Sequence, residues 1–170
     1  RNGIVSIGAN PGGGAAIYAA SGSRLWLFDL IFVDNVQSDP GTTNHYGGGA
    51  VSLGLENTAL HGGADAVIKS CVFENNTAKF GGALFVSGTG SSAVITDSNF
   101  TGNLATTHGG SFTIRGATSV LSCARCIVEG NSAKGSGNGV GGGLYAVSSI
   151  VSLVDSTFTK NEADRPNGQE

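Results

Sequence analysis

The sequence predicts an all-β solenoid, a parallel β-helix of about five coils, from two motifs that alternate along the chain. The first motif is Phe-x-x-Asn, and the second is a Gly pair followed by a small residue and an apolar run, as in 81–86. Both recur with a period of about 27–30 residues, which is typical of repeat architectures. The five copies of the first motif contain Phe32 and Asn35, Phe73 and Asn76, Phe100 and Asn103, Val128 and Asn131, and Phe158 and Asn161.

The segments between the motifs are typical of short strands. They are rich in β-branched residues, and none keeps the 3.6-residue period of a helix. Such strands bury their apolar face only when successive coils stack, which turns each aligned position into a ladder of like residues about 4.8 Å apart. We therefore expect the Phe rings to stack in the core. The Asn residues should turn the chain at a corner, with left-handed backbone angles and with amides bonded to the Asn above and below.

The Gly pairs predict where each coil opens, because Gly permits positive φ and close backbone approach. The links between motifs vary in length, with insertions at 36–47, 54–64 and 134–140. A solenoid tolerates variable corner loops between fixed strands, so we expect one repeat domain over 1–170. After an alternating run at 4–7, its coils open near Gly13, Gly48, Gly81, Gly109 and Gly141.

Composition excludes several classes of protein. Hydrophobic residues make up 39% of the 170 residues, which is enough for a core, whereas charged residues are only 12%. The net charge of −3 and the absence of a Lys/Arg cluster argue against a nucleic-acid partner. No apolar run approaches 18 residues, so no transmembrane segment is expected. The chain starts at Arg1 and has no Met, so we expect a segment of a larger protein or a processed subunit that stacks into a fibre.

The copies GGAV at 48–51 and GGAL at 81–84, alternating with Phe-x-x-Asn, resemble the repeats of chlamydial polymorphic membrane proteins (Pmp). Such repeats also occur in surface proteins of other bacteria and of algae. The resemblance covers nearly the whole chain, although GGSF at 109–112, GGGL at 141–144 and Val128 depart from the pattern. It implies a right-handed, single-stranded parallel β-helix, similar to a passenger region displayed outside the cell for adhesion or surface architecture.

One column of charged residues lies three positions before the Phe position and contains Asp97, Arg125 and Asp155. It could be a carboxylate site, as in a polysaccharide-active enzyme or a Ca²⁺ site. It could instead be an outward ion-pair ladder that contributes at most about 1 kcal/mol per pair. We favour the ladder, because one Arg between two Asp satisfies their charge.

The histidines and cysteines offer weaker candidates. His45, His61 and His108 lie in Gly-rich loops and would have to converge to bind a metal, so we expect solvated loop histidines, with no metal and no cofactor. Cys123 and Cys126 have redox-motif spacing but fall in apolar or small columns, so we expect small core residues. A bridge between them is possible but geometrically awkward, and Cys71 lies two coils from Cys126, too far for a direct bond.

Asn75 and Asn99 each begin an Asn-x-Thr sequon. Asn99 should point outward beside an inward Phe, and Asn75 should lie at a corner. If the source is eukaryotic, either residue is a candidate N-glycosylation site.

Two functional hypotheses follow. The first is a non-catalytic extracellular structural or adhesive module at the cell surface, which stacks end to end into a fibre or continues into further repeats. The alternative is a polysaccharide-active β-helix enzyme, a lyase, hydrolase or epimerase, which rests on architecture alone. The enzyme needs an outward groove in which Asp, Arg or Lys residues from at least three coils converge.

Overall fold

The protein is a parallel β-solenoid in a computed structural model that describes residues 16–37, 47–54, 63–135 and 139–164. Every paired strand in these ranges is parallel to its neighbour, and the ranges contain no helix. They therefore hold no helix that could cross a membrane.

The strands are short, mostly three to five residues, as the sequence predicts. In chain order they are β1 (Ile17–Ala19), β2 (Arg24–Phe28), β3 (Ile31–Val33), β4 (Val51–Leu53), β5 (Asp65–Lys69), β6 (Val72–Glu74), β7 (Thr77–Phe80), β8 (Leu84–Ser87), β9 (Ser92–Thr96), β10 (Asn99–Thr101), β11 (Leu104–His108), β12 (Phe112–Ala124), β13 (Ile127–Glu129), β14 (Ser132–Lys134), β15 (Leu144–Val154), β16 (Thr157–Thr159) and β17 (Glu162–Asp164).

The strands form three sheets that the chain visits in turn. The first sheet has eight strands in the order β1-β4-β8-β12-β9-β5-β2, with β15 paired to β12. The second has the order β16-β13-β10-β6-β3, and the third β17-β14-β11-β7. The long strand β12 pairs along its length with two shorter strands of the preceding turn, β8 and β9. Strand β15 in turn pairs with β12.

The described residues form about four complete turns rather than the expected five. A turn is complete only when the chain returns to the first sheet, and the fifth described pass ends in the third sheet at Asp164. The coil opening expected near Gly13 lies outside the described residues.

The core runs along the solenoid axis, because alternate residues of each short strand point inward. Strand β5 shows this alternation, with Ala66 and Ile68 buried and Val67 and Lys69 exposed. Large inward side chains from successive passes form one continuous cluster.

The two ends of this core differ in burial. In the first described pass, Leu27 and Phe32 are only 4% and 7% exposed. In the last pass, Leu153, which shares a column with Leu27, is 44% exposed, and Phe158 is only partly buried. Among the described residues, the C-terminal face of the solenoid is therefore more exposed than the N-terminal one.

The Gly pairs serve two different steric needs. Gly81 has a φ of +58°, in the left-handed region that Gly adopts without strain. Gly82 has no such angle, but a Cβ there would overlap the backbone oxygen of Gly110 on the next turn. The pair therefore combines a left-handed turn with a close approach between coils.

Candidate functional site

The most extensive polar feature is a buried ladder of asparagines along the corner between the second and third sheets. The Asn76 backbone N–H and side-chain Nδ2 both donate to Oδ1 of Asn103, at 3.0 and 2.9 Å. Asn76 Nδ2 also donates to the backbone oxygen of Phe32 on the preceding turn, at 3.0 Å. The same pattern joins all five residues, Asn35, Asn76, Asn103, Asn131 and Asn161.

The ladder has a direction, because each of the first four asparagines donates its backbone N–H and one Nδ2 hydrogen to the asparagine of the following turn. Every internal Oδ1 accepts two N–H groups, and every internal Nδ2 has at least two acceptors, so the buried amides are fully satisfied. Asn161 lies at the C-terminal end, and no described residue accepts from its backbone N–H or takes its remaining Nδ2 hydrogen. The C-terminal face thus presents a pair of converging donors.

A stack of phenylalanine rings lies beside the amide ladder. The ring centroids of Phe32 and Phe73 are 4.7 Å apart, and those of Phe73 and Phe100 are 4.6 Å apart, with nearly parallel planes. Val128 then occupies the column, and Phe100 instead meets the edge of Phe112 from the next turn, at 4.4 Å. Phe158 resumes the column in the last pass, in register with Val128.

The sequence-based placement of the left-handed corner is wrong by one residue. Positive φ falls on the residue before each asparagine, such as Asn75 at 52°, and not on the asparagine itself. Where that preceding residue has a side chain, at Asp34, Asn75 and Lys160, it is exposed, whereas the asparagine side chain turns inward to the ladder. The left-handed positions of this corner are Asp34, Asn75, Gly102, Gly130 and Lys160.

The proposed charge column is a second left-handed corner, between the first and second sheets. Arg125 has a φ of 53° and Asp97 one of 52°. Arg125 donates from Nε to Oδ1 of Asp97 at 2.6 Å and from Nη2 to Oδ2 at 2.9 Å. These hydrogen bonds lower the pKa of Asp97 and raise that of Arg125.

Asp155 does not complete a three-residue ladder in the described structure. It follows Arg125 in the column, and its charge also raises the pKa of Arg125, but the ion pair within bonding distance is the one with Asp97. Because Arg125 holds Asp97 ionised, this carboxyl is unsuited to act as a general acid, the role that glycoside hydrolysis requires.

The expectation of unbridged core cysteines is wrong for one pair. Cys123 and Cys126 form a disulfide, with Cα atoms 6.2 Å apart. Three extended residues would span about 10 Å, and the left-handed Arg125 between the cysteines bends the chain and shortens that distance. Cys71 remains a free buried thiol, whose pKa is raised by burial, as expected of an inert core cysteine.

His108 is not the solvated loop residue that the sequence suggested. It ends β11, and its ring lies 5.4 Å from Phe80 and 4.6 Å from Tyr145, outside the main core. Burial, with a smaller effect of the Arg115 charge, lowers its pKa. His45 and His61 lie outside the described residues, and the described ranges contain no group of three or more His, Cys, Asp or Glu arranged to hold a metal ion.

Both sequon asparagines are exposed. Asn99 is the first residue of β10 and points away from the core, whereas Phe100 is fully buried. Asn75 occupies the left-handed corner described above. Either side chain is accessible to a modifying enzyme, and glycosylation of them stays a prediction.

One cluster of polar groups escaped the sequence interpretation, because that interpretation aligned mainly the inward columns. On the outer face of the first sheet, Ser92 Oγ donates to Oδ1 of Asp65 at 2.6 Å. Arg24 Nε lies 3.9 Å from Oδ2 of the same carboxylate. The register Arg24↔Asp65↔Ser92 places these side chains in one row across three turns.

Comparison with known proteins identifies the repeat. The family model of the Chlamydia polymorphic membrane protein repeat matches residues 70–87, which contain β6, β7 and β8. The chain carries a Pmp-type repeat. Its parallel β-solenoid fits a Pmp-type repeat protein, and repeat and fold together fit a surface-exposed structural or adhesin-like role. No curated protein and no solved structure shows significant similarity to the chain.

Proposed function

We propose that this protein is a non-catalytic structural or adhesive module displayed outside the cell, and that its C-terminal face docks a further Pmp-type turn. The observation that carries the proposal is the open end of the asparagine ladder. Asn161 presents two N–H donors at the position where each earlier asparagine meets an amide oxygen. An incoming turn with Phe-x-x-Asn in register would supply that oxygen.

The apolar part of the same face supports the proposal. Leu153 is 44% exposed and Phe158 is only partly buried, although the equivalent residues of inner turns are fully buried. A stacked turn would remove this apolar surface from water and place a side chain over Phe158. A head-to-tail contact of this kind extends a solenoid or builds a fibre.

The disulfide supports an extracellular location. Bonds such as Cys123–Cys126 persist in oxidising compartments and are rare in the cytosol. The low charged fraction of 12% and the Pmp-type repeat agree with display at a cell surface.

Sedimentation velocity tests the docking of the C-terminal face. The average mass of the wild-type chain should rise with protein concentration. Leu153→Glu should abolish this rise, because it places a charge on the C-terminal face. Ile127→Glu is the matched control, because Ile127 is equally exposed, at 45%, on a lateral face. A wild-type chain that stays monomeric at the highest soluble concentration, or equal loss of association in both variants, would contradict the proposal.

A further inference from the structure

We infer that the outer face of the first sheet around Trp26 is a carbohydrate-binding platform that stacks a neutral hexopyranose ring. Trp26, the sole tryptophan of the chain, is 60% exposed in the middle of β2. Large aromatic side chains are normally buried, so an exposed one on a regular strand of a packed fold indicates a contact surface.

The sheet extends the apolar surface from Trp26 across the next two turns. The register Trp26↔Val67↔Val94 puts three outward apolar side chains in one row, with Val67 and Val94 37% and 42% exposed. Adjacent strands lie about 4.8 Å apart, so the row spans roughly 10 Å, about the length of two sugar rings.

A polar row runs alongside this apolar row, two residues earlier on each strand. It consists of Arg24, Asp65 and Ser92. The hydrogen bond from Ser92 at 2.6 Å fixes the Asp65 carboxylate, and the Arg24 guanidinium lies beside it, 3.9 Å away. At one edge of the platform, the surface thus offers a carboxylate acceptor that Ser92 holds in place and a guanidinium donor from Arg24.

This combination matches the chemistry of a hexopyranose. One face of the sugar ring carries C–H groups that pack on an indole ring, and its rim carries hydroxyls that need both acceptors and donors. Arg24 and Asp65 cancel each other's charge, which favours a neutral ligand over a phosphate-bearing one. The inference rests on the proposed extracellular location, where polysaccharides occur, and is independent of docking at the C-terminal face.

The fluorescence of Trp26 reports directly on the platform, because no other tryptophan contributes. Titration with cellohexaose, chitohexaose and mannohexaose should give a saturable change in emission for at least one of them. Calorimetry with that sugar should show binding at least tenfold weaker for Trp26→Ala and severalfold weaker for Asp65→Asn. Ile127→Ala, an exposed apolar residue on the second sheet, should bind as the wild type does.

Three outcomes would overturn the inference. These are the absence of saturable binding to all three sugars, wild-type affinity in Trp26→Ala, and an emission change that follows protein concentration rather than sugar. Leu153→Glu should bind sugar normally and Trp26→Ala should sediment like the wild type, so failure of this inference is distinguishable from failure of the proposed function.

Discussion

The buried asparagines show how one residue type can join successive turns. A buried amide without partners costs stability, so it persists in the core only where every donor and acceptor is paired. In the inner turns each asparagine meets this condition by bonding the next asparagine and a Phe-position carbonyl. A buried asparagine is therefore stable at this position only when the repeat period places another asparagine at the same position of the next turn.

Replacing Asn76 by Ala should lower the free energy of unfolding by about 1–3 kcal/mol. The change leaves two N–H groups of Asn35 without their acceptor, and the Phe32 carbonyl and the Asn103 side-chain oxygen each lose one donor. Urea denaturation measures the effect. Asn99→Ala, an exposed position, should stay within about 0.5 kcal/mol of the wild type, and equal stability of both variants would show that the ladder contributes nothing.

The corner between β12 and β13 contains a disulfide within one turn. The bond joins Cys123, near the end of β12, to Cys126, just before β13, across the left-handed Arg125. In the folded state, backbone hydrogen bonds to neighbouring turns hold this corner. The disulfide adds a covalent link that also restricts the unfolded chain there.

The double variant Cys123→Ile and Cys126→Ser should lose about 2 kcal/mol of stability, the loop-closure effect of so short a bridge. Ile and Ser stand at the equivalent positions one turn earlier, as Ile95 and Ser98, so the packing is largely preserved. Thermal unfolding with and without a reductant measures the effect. The wild type should lose stability in reductant and the variant should not. A wild type that is insensitive to reductant after the bond has opened would contradict this role.

Stacking explains which features of the whole molecule the sequence could predict. Inward positions such as Phe73 and Asn76 see the same residue type on the next turn, so they repeat visibly along the chain. The all-β parallel solenoid follows from them and is confirmed. Outward positions and the left-handed corner positions meet mostly water, so their residue types vary, as when Arg125 follows Asp97 in one column.

Two features were missed by the sequence-based prediction, each for a different physical reason. The disulfide depends on the left-handed bend at Arg125, which brings the two Cα atoms to 6.2 Å and which no sequence pattern indicates. The row of Arg24, Asp65 and Ser92 depends on which side chains face outward in register across turns. An alignment of the outward positions could have found this row, because the register of the inner columns fixes that of the outer ones.

The difference between the two ends of the solenoid gives a prediction for the molecule as a whole. In a repeat protein each turn is stabilised by its neighbours, so an end turn with one neighbour contributes less than an inner turn. Phe73→Ala should cost about 3–5 kcal/mol, and Phe158→Ala, in the same column of the last pass, roughly half as much. Denaturation of both variants at low protein concentration measures the difference. At concentrations where the C-terminal face is occupied, burial of Phe158 should bring the two costs together, and a constant difference at all concentrations would mean that nothing stacks on Phe158.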